Sequence, residues 1–157
     1  MRFFLAITIN PPSPTVYLSS LLTHLLRCML NKQKILIVED NPDGRKLIVL
    51  YVKSCGFEVF EATTGLEALD QARAVHPDLI LMDLVLPELL GHEAMMRLKA
   101  DPSTREIPVI VTTALPESSA SVESAIAAGA AEVLYKPFSF KALSEAIDRY
   151  LPQPNDP

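Results

Sequence analysis

Between residues 34 and 151 the chain alternates short apolar runs with longer stretches whose apolar residues recur every three or four positions. The runs at 34–38, 78–86 and 108–113 lack polar alternation and read as strands buried on both faces, as in a parallel sheet covered by helices. Further strand signals fall at 57–62 and 133–135. Asn41 as N-cap and Pro42 at the first helical position open a helix with Leu47, Ile48, Tyr51 and Val52 on its buried face and Gly56 at its end. Thr64 and Glu67 form a T-x-x-E capping box for a second helix through Leu69, Ala72 and Val75, which Pro77 stops. A third helix after Pro87 turns Ala94, Met95, Met96 and Leu98 toward the core and ends at Asp101-Pro102. An alanine-rich fourth spans 119–128 and closes at Gly129. Ser139 caps a fifth, with Phe140, Leu143, Ile147, Tyr150 and Leu151 at core spacing. Strict alternation of strand and helix predicts an α/β fold of five parallel strands with helices on both faces and right-handed crossovers.

The polar residues at the strand ends change the picture. Asp83 closes an apolar run, and alone it reads equally well as a turn or capping aspartate. Yet Glu39, Asp40, Asp83, Thr113 and Lys136 all fall at or just after the carboxyl ends of predicted strands one, three, four and five. In open α/β sheets that edge opens into the ligand crevice. If strands one and three are neighbours, about 4.8 Å apart, Asp40 and Asp83 can share a cation. Without one, two such charges about 4 Å apart repel by roughly 4 kcal/mol at an effective dielectric near 20, which a divalent ion or Lys136 would offset. Oxygen donors of this kind suit Mg²⁺, which takes its remaining ligands from water and phosphate. Alternation points the Thr112 hydroxyl away from the side used by Thr113 and makes it a packing residue.

Composition narrows the classes. A chain of 157 residues supports one compact domain, and a net charge of -5 gives no electrostatic footprint for direct nucleic-acid binding. Cys28 and Cys55 have neither metal-site spacing nor disulfide density, so both read as ordinary apolar side chains in a reducing cytoplasm. His24, His76 and His92 form no constellation and read as surface or turn residues. Residues 1–28 do not match the rest: neither of their apolar pieces reaches the roughly 18 residues of a membrane span, and the first is a poor signal peptide. An amphipathic interfacial helix across 15–30 is one reading of this extension, and translation starting at Met29 is the favoured one. The division expected is therefore an extension at 1–28, one domain at 29–152 and a tail at 153–157.

Glu39-Asp40, Asp83 with Pro87 and Gly91 behind it, Thr113-Ala114 and Lys136-Pro137-Phe138, in this order, resemble the receiver domain of bacterial two-component response regulators over about residues 33–151. The resemblance implies a flavodoxin-like, doubly wound sheet of order 2-1-3-4-5. It implies that Asp83 accepts a phosphoryl group from a phosphohistidine on a sensor histidine kinase or histidine phosphotransfer protein. Asp40, Asp83 and the backbone carbonyl of Val85 would hold Mg²⁺, with Glu39 acting mostly through a bound water. Lys136 would pair with the phosphoryl oxygens, and the Thr113 hydroxyl would bond to one of them. Such a protein is no metabolic enzyme: it promotes only its own phosphorylation and dephosphorylation, and changes its surface for a downstream protein. The family's usual aromatic switch, three positions before the lysine, is Val133 here, while Tyr135 directly precedes Lys136. Two alternatives stand beside this reading. A phosphorylation-independent interaction or dimerisation module would not need all five site residues, and an aspartyl-phosphate phosphatase would want a second acid where Val85 stands.

Overall fold

The structure, a computed structural model, describes residues 33–151. The proposed extension at 1–28, its helix and Met29 start, Cys28, His24 and the tail at 153–157 lie outside the described residues. In chain order the elements are β1 (Lys34–Val38), α1 (Pro42–Ser54), β2 (Glu58–Ala62), α2 (Gly65–Val75), β3 (Leu79–Asp83), α3 (Gly91–Ala100), β4 (Val109–Thr113), α4 (Ala120–Ala127), β5 (Glu132–Tyr135) and α5 (Phe140–Tyr150). The strands form one five-stranded sheet of order β2-β1-β3-β4-β5, every pair parallel, as the resemblance implies. The register pairs Val38 with Met82 and Asp83 with Thr112, so the carboxyl ends of the central strands finish at one level.

Alternation along these strands divides the core in two. Leu36, Val38, Ile80, Met82, Val109 and Val111 face α2, α3 and α4. Ile35, Ile37, Leu79, Leu81 and Ile110 face α1 and α5. Each fully buried Leu or Ile contributes about 1.5–3 kcal/mol of transfer free energy, which is why the sheet tolerates almost no polar residue before its carboxyl edge. No helix among the described residues is long and apolar enough to cross a membrane.

The caps work as the spacing predicts, with one refinement. Asn41 accepts from the Gly44 N–H at 2.8 Å and Ser139 from the Ala142 N–H at 3.1 Å. Thr64 accepts from the Glu67 N–H at 3.1 Å, but the Glu67 carboxylate reaches back to the amide and hydroxyl of Thr63, at 2.7 and 2.9 Å. The box is therefore closed one residue earlier than expected.

Several side-chain expectations need correction. Leu47 is 59% exposed and Met96 is 54% exposed, although both were expected in the core. In α1 the buried stripe is Ile48, Val49 and Val52, and Leu47 lies one position outside it. In α3 the stripe of Ala94, Met95 and Leu98 already fills the available width, leaving Met96 outside. Phe140 is also partly exposed, at 46%, but its ring stacks on Tyr51 with centroids 4.5 Å apart, so it covers the seam between α5 and α1. Cys55 is a free, exposed cysteine at the C-cap of α1. His76 takes a turn position with φ 46° after α2. His92 is half-buried with an enclosed, unpartnered Nδ1, and so is not a simple surface residue.

Candidate functional site

The polar residues gather where β1, β3 and β5 end. Glu39 follows β1 directly; its N–H still bonds to the Ala62 carbonyl at 3.1 Å, the last tie to β2 on that side. Its side chain is buried, whereas Asp40, one residue further, is exposed. Asp83 is the buried final residue of β3, and its Oδ1 accepts from the Val85 N–H at 2.8 Å. Carboxylate oxygens of Glu39, Asp40 and Asp83 lie within 4.8 Å of one another. Lys136, the residue after β5, brings its ammonium between two of these acids, donating to Glu39 Oε2 at 2.6 Å and to Asp83 Oδ2.

That placement sets the charge balance. Burial by itself would lower the Lys136 pKa, but hydrogen bonds and attraction from Asp83 and Glu39 outweigh it and hold the ammonium above the ordinary lysine range. The amine is therefore cationic at any physiological pH. Lys136 is also tied in through its backbone, its N–H bonding to the Thr113 carbonyl at 2.7 Å, and its bond to Pro137 is cis.

Thr113 stands at the end of β4, fully buried, with its Oγ1 accepting from the Leu115 N–H at 3.1 Å. Among the described residues its hydroxyl makes no bond to Glu39, Asp83 or Lys136. Val85 sits on the exposed loop after β3, its amide engaged by Asp83. The structure thus brings Glu39, Asp40, Asp83 and Lys136 into one cluster and leaves Thr113 and Val85 at its margin. Thr112 shares the register level of Asp83 and is buried, and Tyr135 is the register partner of Thr113 on β5.

One part of the site escapes a reading of the sequence, and the physical reason for another appears only in the structure. Arg45, on the first turn of α1, donates through Nη1 to the Glu39 carbonyl at 2.8 Å. A basic residue early in a helix has no periodicity signal, and nothing in the sequence distinguishes it from a solvated charge. Gly91, at the start of α3, comes so close to the end of β3 that a Cβ there would lie 2.1 Å from the Asp83 carbonyl oxygen. Its spacing behind Asp83 is visible in the sequence, but the physical need for it appears only in the packing.

Chemically, the cluster offers hard oxygen donors and little else. Three carboxylates against one ammonium leave excess negative charge in a partly buried pocket, which suits a small divalent cation such as Mg²⁺. A cleft of about 500 Å³ borders the cluster between α1 and the start of α5, lined in part by Glu39, Lys136, Ile48, Phe138 and Phe140.

Comparison with known proteins agrees with this geometry. Residues 35–148 match the family described as the response regulator receiver domain. The polar-differentiation response regulators DivK of Brucella ovis and Brucella anthropi are each 42% identical over 120 residues, covering 76% of this chain and 96% of theirs. Among solved structures, the receiver domain of a Pseudomonas aeruginosa sensor histidine kinase is 32% identical with a TM-score of 0.72, covering 78% of this chain and all of that one. That receiver carries a magnesium ion coordinated in its active-site cleft. A chemotaxis response regulator of Vibrio cholerae, 27% identical, reaches a TM-score of 0.71 over 76% of this chain and 99% of its own. A match spanning nearly the whole described fold, with relatives scarcely longer than the matched segment, settles the family: the chain belongs to the response regulator receiver domains of two-component signalling.

Proposed function

We propose that Asp83 takes up a phosphoryl group from a phosphohistidine on a sensor histidine kinase or histidine phosphotransfer protein. A carboxylate oxygen of Asp83 forms the new bond to phosphorus while the phosphorus–nitrogen bond breaks and its electron pair leaves with the donor imidazole. Little covalent chemistry remains for the protein; its task is positioning and charge neutralisation. Lys136 orients Asp83 before transfer, and its ammonium can follow the negative charge onto the phosphoryl oxygens. Asp40, Asp83 and the Val85 carbonyl would hold Mg²⁺, with Glu39 acting mostly through a bound water; the ion adds further neutralisation of the phosphoryl oxygens. The Thr113 oxygen accepts from Leu115, which leaves the hydroxyl proton free to be donated to a phosphoryl oxygen. Such a bond would pull the loop after β4 toward Asp83. Because Val133 packs against the core and carries no ring, that loop and α4 transmit the change to a downstream protein, with Tyr135 beside Thr113 placed to take part.

The observation that carries this reading is the Lys136 ammonium bridging two buried acids beside a third, exposed one, all at the carboxyl edge of the sheet. A small phosphodonor with Mg²⁺ should add one phosphoryl group to the chain by intact mass, and Asp83→Asn should abolish stable uptake while preserving the fold. Uptake of one group by the variant at the same position would refute the assignment. Absence of uptake by the wild-type chain would favour a phosphorylation-independent interaction module on the same fold.

A further inference from the structure

Of the three acids at the site, Asp40 is the exposed one, and no hydrogen bond among the described residues reaches its carboxylate. Glu39 is held through both oxygens, by the Asn41 N–H at 3.3 Å and by Lys136 at 2.6 Å. Asp83 is likewise held through both, by Val85 and Lys136. The direction of the Asp40 side chain therefore depends on its backbone. Past the Glu39 N–H the pairing with β2 runs out, and the carbonyls of Glu39 and Asp40 turn to a side chain instead. Both accept from one atom, Nη1 of Arg45, at 2.8 and 3.4 Å. The same guanidinium meets Glu61 Oε2 on β2 through Nε at 3.3 Å, with the Arg45 side chain only 19% exposed.

Those two carbonyls belong to the peptide planes on either side of the Asp40 Cα. Fixing both planes fixes φ and ψ of Asp40, and so the direction of its Cα–Cβ bond. We infer that Arg45, anchored by Glu61, is a positioning residue that aims Asp40 at the cation site. The inference rests on the proposed Mg²⁺ site. The arrangement needs the planar fork of a guanidinium, whose separate nitrogens serve the loop and β2 at once; a lysine brings the same charge at a single point.

Geometry and charge act in opposite directions here, which makes the test decisive. Deleting a positive charge beside three acids would tighten Mg²⁺ binding if charge were what mattered, whereas loosening Asp40 would weaken it. Calorimetric titration of Mg²⁺ into the metal-free full chain should show that Arg45→Lys and Arg45→Ala each weaken the dissociation constant by about tenfold, the lower range for losing a partner that orients a metal ligand. Thr104→Ala, which removes the bond from the Thr104 hydroxyl to the Leu98 carbonyl between α3 and β4, at the opposite edge of the sheet, should lower stability yet leave Mg²⁺ affinity unchanged. Arg45 variants that bind as wild type or more tightly overturn the inference, as does an equal weakening in Thr104→Ala. A wild-type chain that binds no Mg²⁺ at millimolar concentration overturns the proposed metal site and this inference together, and the wild-type titration alone reveals that case.

Discussion

At Lys136 two opposing effects meet: burial disfavours the ammonium, while Glu39 and Asp83, buried beside it, require a cation. Replacing it by methionine in metal-free buffer leaves two buried acids facing each other. The expected cost is about 3 kcal/mol, the lower end of what breaking a buried pair costs, because the lysine side chain is still 26% exposed. The pH dependence has a definite sign. An amine whose folded pKa is raised contributes stability fully present below the free value of 10.5, and that stability is lost as pH rises through the higher folded value. The difference in urea-unfolding free energy between wild type and Lys136→Met should stay flat from neutral pH to that of free lysine, then close above it. A gap that stays constant in strong alkali would contradict the pairing. The cluster was legible from the sequence at this scale because acids and a lysine end several apolar runs at the same edge, a convergence that turn or capping roles for each residue alone would not produce. Arg45 was not, since its partners are backbone carbonyls, which any sequence presents everywhere.

Between elements, the contacts that hold the site are close approaches and interhelical ties. The start of α3 rests on the carbonyl of Asp83 with room only for hydrogen at Gly91. Gly91→Ala should cost about 3 kcal/mol, the upper end for overpacking, because the obstacle is backbone and cannot rotate away. Thermal unfolding measures that cost, and reduced phosphoryl uptake would show the displacement reaching Asp83. A second tie joins α2 to the end of α3, where Arg73 Nε meets Asp101 Oδ2 at 2.8 Å. This bond, together with those from Ser103, holds the Asp101 carboxyl at about 2, below its ordinary 3.8. A depressed carboxyl contributes stability present above the ordinary value and lost as pH falls toward the folded one. In Arg73→Ala the side-chain carboxyl resonance of Asp101 should titrate closer to 3.8; an unmoved midpoint would assign the depression to Ser103 alone. The order and type of the elements were legible because buried strands and capped helices differ in period. The exposures of Leu47 and Met96 were not, because a helix one residue wider than its buried stripe looks the same in sequence.

For the whole molecule, the two apolar clusters found among the described residues are built from residues 35–151. In line with the domain division proposed from the sequence, a chain begun at Met29 should unfold within about 2 °C of the full chain, less than a 1 kcal/mol change would cause, and should take up phosphate equally well. A larger drop in the midpoint would make the extension part of the fold. The alternation of parallel strands and helices was legible in the pattern and the strand order through the family resemblance, whereas the depth of the site was not, because burial of Glu39 and Asp83 depends on how five strand ends align. The bond between Lys136 and Glu39 spans 97 positions of sequence. During synthesis both acids leave the ribosome long before the lysine that neutralises them. Until β5 is made, the half-finished sheet carries an unanswered charge at its edge, so the nascent chain cannot hold Asp83 in the arrangement of the finished fold. On the proposed function, the phosphoryl site would then be among the last features to come into being, and an incomplete chain would be barred from competing with the finished one for the same donor.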